Sequence, residues 1–345
     1  MKQLSSLPTV EQRVRRRAFV VLLSLFALIV IGFLVSMNTG FIRLSPFDVL
    51  RTLFGFGSDM ENLTLFDFRL PRIVLSILIG MGLAVSGCVI QGITRNALAD
   101  PGILGINAGA GLMVMLYISF YPVKGSSPVF LLPILALAGA GATAILIFAL
   151  AYKRNEGLTA TRLLLTGIAV AAGISAAMIV LTLRLNPEQY QFVATWLAGS
   201  IWGSTWKFVI ALLPWIVVLL PYVMIKGQTL NVLNLGQPTA LGLGLQVSRE
   251  QIKLIAAAVA LAGASVAVSG GIGFVGLIGP HIARRLVGVK HQYTIPASAL
   301  LGALLVLLAD TIGRWILQPS QIPAGIVVAV IGAPYFLYLL ARTKA

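Results

Sequence analysis

The chain has 345 residues, of which 58% are hydrophobic and only 10% are charged, and its mean hydropathy is +0.97. This composition excludes a water-soluble globular domain and indicates a polytopic membrane protein. The formal charge of +15 could suggest nucleic acid binding, but the basic residues are scattered between apolar runs instead of clustering with aromatic residues. Nucleic acid is therefore not expected as a partner.

Unbroken apolar runs of about twenty residues recur along the chain, and each is long enough to cross a membrane as a helix. A transmembrane β-barrel would instead show alternating segments of roughly ten residues. The sequence therefore predicts an all-α membrane protein. The strong runs lie near residues 18–38, 70–93, 103–120, 128–152, 161–183, 205–225, 251–271, 294–312 and 323–341.

The N-terminal segment, residues 1–17, is basic and directly precedes the first apolar run. That pattern is also found in signal peptides, but here the run continues for about eighteen residues and no small-x-small cleavage site follows it. We therefore predict a retained first span, with residues 1–17 as a cytoplasmic N-terminus. Its basic residues are Lys2, Arg13, Arg15, Arg16 and Arg17.

A tenth candidate span, Gly273 to Leu286, is too short and too rich in glycine to be identified by hydropathy. The positive-inside rule favours it. With ten spans, 17 of the 25 lysines and arginines lie on the cytoplasmic side, whereas with nine the basic cluster at Arg284, Arg285 and Lys290 moves outside and the partition becomes 13 to 12. We therefore predict a ten-span permease domain over residues 18–345, with both termini cytoplasmic.

A short sequence recurs in the two halves of the chain. Gly80-x3-Ala84-Val85-Ser86-Gly87 reappears, displaced by 183 residues, as a similar segment that runs from Gly263 to Gly270. In the ten-span arrangement the two copies run in opposite directions, as in the inverted repeats of many transporters. The small residues also have a simpler interpretation, because they allow close packing between membrane helices.

Several kinds of catalytic or metal site are missing from the sequence. No G-x4-G-K-[ST] motif occurs, so any ATP must be hydrolysed by a partner. His281 and His291 are not accompanied by the cysteines or carboxylates of a metal site, and we expect both in a polar loop near the cytoplasmic face. There is also no G-x-S-x-G motif. We therefore predict a transport subunit, with no catalytic residues, no metal site and no directly bound cofactor.

The middles of the predicted spans hold no ionisable residue, whereas proton- or sodium-coupled transporters place such residues inside the membrane. The deepest acidic residue, Asp310, is one helical turn from Arg314 and can pair with it. A cation-coupled secondary transporter is therefore the less favoured class. A channel would require a repeated filter loop or a ring of charges, and neither is visible.

Five separate segments carry a family pattern: Phe68 to Arg72 (FRLPR), Asn96 to Gly105 (NALADPGILG), Leu235 to Val247, Gly273 to His281 and Pro323 to Phe336. Together they resemble the iron-siderophore and cobalamin permease (FecCD-type) family, the membrane subunits of ATP-driven importers. Three positions depart from the family pattern: Ala97 replaces a proline, Gln237 replaces an acidic residue, and Gln321 replaces a glutamate.

The resemblance implies that a cytoplasmic segment at about residues 229–249 docks into the ATPase. We expect two short helices broken at Gly236 and Gly244, with Leu233, Leu235, Leu243 and Val247 as knobs that enter a groove on the partner. The alternative is a plain amphipathic interface loop. The coupling residues carried over from the family pattern are Leu235, Gly236, Gln237, Ala240, Leu243, Gly244 and Val247.

Two further sets of residues are implied by the resemblance. Asn96, Asp100, Pro101 and Gly102 form a cytoplasmic signature turn. Three outer arginines are expected to receive glutamates from the two lobes of a substrate-binding protein, a task that suits the guanidinium fork. The alternative is that they only anchor helix ends. These arginines are Arg69, Arg72 and Arg314.

The sequence as a whole therefore predicts a type II ABC importer permease with ten spans in two inverted-repeat halves. It is expected in a bacterial plasma membrane, where it moves an iron(III)-siderophore complex inward. The implied partners are a second permease chain, identical or related, two ATPase subunits that use ATP, an extracytoplasmic siderophore-binding protein and membrane lipid. The alternatives are a permease of the same family for cobalamin or haem, and a cation-coupled secondary transporter.

Overall fold

The computed structural model describes residues 10–40, 45–121, 130–153, 159–317 and 320–342. These residues form helices and no β-strand, which confirms the predicted fold class. In chain order the α-helices are α1 (Val10–Asn38), α2 (Pro46–Leu53), α3 (Asp59–Asn62), α4 (Leu70–Thr94), α5 (Ile106–Phe120), α6 (Leu131–Ala151), α7 (Ala160–Thr182), α8 (Pro187–Leu197), α9 (Trp206–Ile225), α10 (Gly227–Asn234), α11 (Gln237–Gly242), α12 (Val247–Ser269), α13 (Val275–Val287), α14 (His291–Ile316) and α15 (Ala324–Arg342).

Two segments of other helical type adjoin α4. A π-helical segment, Leu63–Arg69, leads into it, and a 3₁₀ turn, Pro101–Leu104, lies between it and α5. The first nine residues of the predicted basic N-terminus and the last three residues of the chain lie outside the described residues.

Seven helical stretches of the described chain are long and apolar enough to cross a membrane, and α5 and α15 are shorter apolar helices. Each of the nine apolar runs in the sequence coincides with one of these helices. The glycine-rich tenth candidate coincides with α13, which has 13 residues. The seven long stretches are Glu11–Asn38, Asp59–Thr94, Leu131–Ala151, Thr161–Thr182, Trp206–Ile225, Val247–Ser269 and His291–Ile316.

Helix α4 lies at the centre of the bundle, where it packs against α12, α13 and α14. Glycines allow this packing, because a Cβ atom on Gly80 would clash with the backbone of Gly302 in α14, and one on Gly87 would clash with the backbone of Gly276 in α13. Without a hydrophobic effect between helices in lipid, such close backbone contact is a main source of association. The packing role expected for these small residues is confirmed.

A segment that is not helical, residues 270–274, separates α12 from α13. Gly270 and Phe274 at its ends both have positive φ, 70° and 65°. The end of α8 packs directly on this segment, since a Cβ on Gly270 would clash with the carbonyl group of Trp196. This break explains why hydropathy alone did not identify α13 as a separate helix.

Large apolar side chains remain exposed on the outer faces of α1, α7 and α9, for example Phe19, Ile179 and Val218. Apolar surface of this extent is not stable in water. It is the surface that lipid or a neighbouring membrane subunit covers, and the fold is therefore that of a multi-pass membrane protein.

Candidate functional site

The predicted coupling segment forms two short helices, α10 and α11, as the sequence indicated. The first ends where the amide of Gly236 donates to the carbonyl group of Leu233 at 3.2 Å. Gly236 then adopts φ 105°, and Gly244 after α11 adopts φ 79°, a region that favours glycine. The two glycines therefore set the bends of the segment.

Three leucines of this segment present apolar surface outward: Leu235, Leu241 and Leu243 are 61%, 60% and 64% exposed. Two of the four predicted knobs are wrong, because Leu233 and Val247 are buried and anchor the segment to the bundle. Both groups of side chains are apolar, so the sequence could not separate them, and Leu241 was missed for the same reason.

The remaining predicted coupling residues lie beside this leucine row. Ala240 is buried beneath it, and Gln237 is partly exposed at the start of α11. Arg95, at the end of α4, lies over Gly236, so that a Cβ there would be 3.4 Å from the arginine Nη1. The coupling segment therefore touches the end of the central helix.

Helix α10 is also joined to the start of α14 through side chains that the sequence analysis missed. The Asn231 Oδ1 atom accepts a hydrogen bond from the backbone amide of His291 at 2.9 Å and lies 2.8 Å from the His291 Nδ1 atom. The Asn231 Nδ2 atom donates to the Oε1 atom of Gln292 at 2.8 Å. His291 is buried at the start of α14 and His281 lies within α13, so the polar loop predicted for both is wrong.

A second polar link joins α4 to both ends of α13. Arg284 donates to the Oε1 atom of Gln91 at 2.5 Å, and the Nε2 atom of Gln91 donates to the carbonyl group of Gly276 at 3.1 Å. The sequence analysis used Arg284 only as one of the basic residues in the positive-inside rule and did not predict its bond to α4. A polar residue near the end of an apolar run, Gln91, was the one available signal.

Two side chains stabilise the signature turn by accepting hydrogen bonds from backbone amides within the turn. Asn96 Oδ1 accepts from the amide of Leu98 at 2.9 Å, and Asp100 Oδ1 accepts from the amide of Gly102 at 2.7 Å. Burial raises the pKa of Asp100 to about 6, and the bond from Gly102 opposes that rise.

The same turn packs on the start of α13. A Cβ on Gly276 would lie 2.5 Å from Pro101 and 3.0 Å from an oxygen of Asp100, so only a glycine leaves room for the turn. The signature turn and the Gly273 to His281 segment, distant in sequence, therefore form one contact.

Two of the three predicted docking arginines pair with one carboxylate. Asp310 is 1% exposed, and it pairs with Arg72 at 2.7 Å and with Arg314 at 3.1 Å. The predicted pair between Asp310 and Arg314 is confirmed. Arg72 also donates to Gln321 at 2.6 Å, which gives this departure from the family pattern a structural partner.

Two of these arginines also hold the end of α1. Arg69 donates to the carbonyl group of Met37, and Arg314 donates to that of Thr39 at 3.0 Å and to the hydroxyl group of Ser36. Cations at a helix C-terminus are favourable because they meet the partial negative charge there. Arg69 and Arg314 are buried, and Arg72, with a side chain 11% exposed, is the most accessible of the three.

An outer groove of about 570 Å³ lies where α6, α8, α9 and α12 meet. Its lining includes Glu188, Gln191 and Thr195 of α8 beside Trp196 and Trp202. Among the described residues, no group of three or more histidines, cysteines or carboxylates could hold a metal ion.

Fold and site together define a helical, multi-pass membrane protein with a short, exposed apolar segment. The chain matches the model of the FecCD transport family over residues 28–342 and belongs to that family. It is 47% identical over 332 residues to the iron(3+)-hydroxamate import system permease protein FhuG of Bacillus subtilis strain 168, which covers 95% of this chain and 98% of that protein.

Two further similarities agree with this assignment. The chain is 38% identical over 330 residues to the hemin transport system permease protein HmuU of Yersinia pestis, covering 93% and 95% of the two chains. It also matches a solved inward-facing structure of a metal-chelate type ABC transporter with a TM-score of 0.82 and 30% identity, covering 93% and 99%. The chain is therefore an ABC importer permease, a transport subunit and not an enzyme, and this class acts with an ATPase and a substrate-binding protein.

Proposed function

We propose that this chain is the permease subunit through which an ABC importer moves an iron(III)-siderophore complex, of the hydroxamate class, into the cytoplasm. The observation that carries the substrate is the 47% identity to an iron(3+)-hydroxamate permease over nearly the whole of both chains. The exposed row of Leu235, Leu241 and Leu243 supports docking to the ATPase that supplies the energy, because the sequence has no Walker A motif of its own.

Uptake by a strain from which the gene has been deleted, with and without a plasmid-borne copy, tests this substrate. Radiolabelled iron is supplied as a hydroxamate siderophore, a catecholate siderophore or citrate, and haem and cobalamin are supplied separately. We expect the copy to restore hydroxamate uptake. Restoration of haem uptake instead, which the HmuU similarity makes the second candidate, would overturn the proposed substrate but not the importer class.

The proposed topology has ten spans with both termini inside, so that α13 is a short span of its own. Its support is the basic cluster after α13 and the polar link from Arg284 to α4. The two copies of the repeated segment support two inverted halves, because they lie in contact and run in opposite directions. Gly82 of α4 faces Ser265 of α12. Further along α4, Ser86 donates to the carbonyl group of Ala258, which lies nearer the start of α12.

The proposed assembly contains two permease chains, identical or related, with two ATPase subunits and one binding protein on the outer side. The exposed apolar faces of the bundle leave ample surface for a second permease chain. A mass measurement of the intact purified complex gives the number of each subunit. A complex with one permease chain would contradict this composition.

The docking of the binding protein to Arg69, Arg72 and Arg314 belongs to the same proposal, with Arg72 making the first contact because it is the most accessible. All three also have a structural role, because Arg72 and Arg314 pair with Asp310 and Arg69 donates to the carbonyl group of Met37. Charge reversal at Arg72 should weaken docking, and a compensating reversal on the binding protein should restore it. Failure of every compensating reversal would leave the three arginines as anchors of helix ends.

A further inference from the structure

A basic groove lies at the N-terminal end of α1, away from the surfaces described above. It has a volume of about 490 Å³ and is lined on α1 by Gln12, Arg15, Arg16, Phe19 and Leu22, and on α14 by Tyr293. These α1 positions recur at intervals of three and four residues, so they share one face of the helix.

The groove changes from polar to apolar along the helix. Its first turn carries Gln12, Arg15 and Arg16, and its next two turns carry Phe19 and Leu22, with Tyr293 opposite. Residues 15 and 22 are about 10 Å apart along the axis, at 1.5 Å per residue. This is the order of groups that a phospholipid meets, from a charged headgroup to the first part of an acyl chain.

The charges around the groove favour an anion. Arg285 and Lys290 lie where α13 ends and α14 begins, whereas Arg13 and Arg17 lie on another face of α1. The one carboxylate that the described structure places in this cluster, Glu11, is 3.9 Å from Lys290.

Arg15 and Arg16 are exposed, and among the described residues neither has an ion-pair partner. Arg17, in contrast, donates to the carbonyl group of Arg285 at 3.2 Å. Two uncompensated guanidinium groups above an apolar floor suit a phosphate group whose attached chains enter the membrane.

We propose that this groove binds one anionic phospholipid of the cytoplasmic leaflet, with its phosphate on Arg15 and Arg16 and an acyl chain along Phe19 and Leu22. The assignment to the cytoplasmic leaflet depends on the proposed cytoplasmic location of the N-terminus. The binding itself does not depend on the transported substrate. Basic pockets between membrane helices on this side are suited to such headgroups.

Native mass spectrometry of the full-length permease, stripped of lipid in detergent and titrated with phosphatidylglycerol or phosphatidylcholine, tests the proposal. We expect one tightly held phosphatidylglycerol and no comparable phosphatidylcholine. Each arginine near the headgroup contributes about fivefold to affinity, so Arg15→Gln with Arg16→Gln should weaken retention about 25-fold. Glycerol 3-phosphate, which lacks acyl chains, should not compete.

Arg13→Gln with Arg17→Gln is the matched control, because it removes the same charge from a neighbouring face of the same helix. We expect retention within about twofold of the unchanged protein. Equal loss in both double variants would show general attraction to the basic end, and unchanged retention without Arg15 and Arg16 would remove the site. Displacement of the lipid when the ATPase subunits assemble would show that this face is a protein contact.

Discussion

At the scale of single residues, Asp310 is the carboxylate that neutralises two largely buried arginines. A buried carboxylate is unfavourable unless it is paired, and here Arg72 and Arg314 both pair with it. Arg314 in turn holds the end of α1. One acidic residue therefore fixes the relative positions of α1, α4 and α14 at one end of the bundle.

We predict that Asp310→Asn destabilises the permease by about 3–5 kcal/mol, because it leaves two largely buried guanidinium groups without their counter-charge. The midpoint of thermal unfolding in detergent measures the effect. Glu11→Gln is the control, since it removes a carboxylate from an exposed pair with Lys290 and should change stability by about 1 kcal/mol or less. Equal effects of the two substitutions would contradict a structural role for the arginine cluster.

At the scale of elements, the coupling segment consists of α10 and α11, each about two turns long. It has a buried side and an exposed side. Leu230, Leu233 and Ala240 fix it to the bundle, and the exposed leucines face outward. A segment anchored in this way can pass a displacement to α14 through Asn231 and to α4 through Arg95.

We predict that Leu235→Ala with Leu243→Ala weakens ATPase binding about tenfold or more without loss of expression, because both side chains are exposed in the permease and buried in a docked complex. Co-purification of the ATPase subunits measures binding. Thr239→Ala, on the exposed side of α11, should leave binding close to its original level. Full ATPase binding by the double leucine variant would remove the coupling assignment.

A different defect is expected for Asn231→Ala, which removes the hydrogen bonds between α10 and the start of α14. The leucine row stays intact, so ATPase binding should persist while siderophore uptake per ATP hydrolysed falls. Reconstituted vesicles give both rates. Asn234→Ala, on the exposed side of the same helix, should leave the ratio unchanged. If Asn231→Ala leaves it unchanged as well, α10 is not joined to α14 in a way that matters for transport.

Hydropathy predicted most helices closely, for example the run at 70–93 against Leu70–Thr94 and the run at 205–225 against Trp206–Ile225. It predicted them because a lipid environment demands long apolar segments. It missed α8, which is short and of mixed polarity. It could not show that Arg69 and Arg314 are buried, because their partners at the end of α1 are backbone carbonyl groups 32 and 275 residues away.

At the scale of the whole molecule, the number of spans depends on α13. With 13 residues, this helix is about 20 Å long, less than the hydrocarbon core of about 30 Å. The non-helical segment 270–274 before it is partly buried under the end of α8, where backbone that is not helical is tolerated. Helix and segment together can therefore complete a crossing that the helix alone cannot.

We predict that a cysteine placed at Val289, just after α13, lies inside the cell. The Val289 side chain is 73% exposed, so a labelling reagent that crosses the membrane should reach it. Cys88→Ala removes the lone native cysteine, which is buried. In intact cells an impermeant maleimide should leave Val289→Cys unlabelled, and permeabilised cells should show full labelling.

Leu183→Cys is the matched control, because Leu183 is 86% exposed at the end of α7 and lies outside whether the chain has nine spans or ten. It should be labelled in intact cells. Labelling of Val289→Cys in the same cells would place the basic cluster outside and leave nine spans. The cytoplasmic C-terminus and the division into two halves of equal span number would then both be wrong, since each requires α13 to cross.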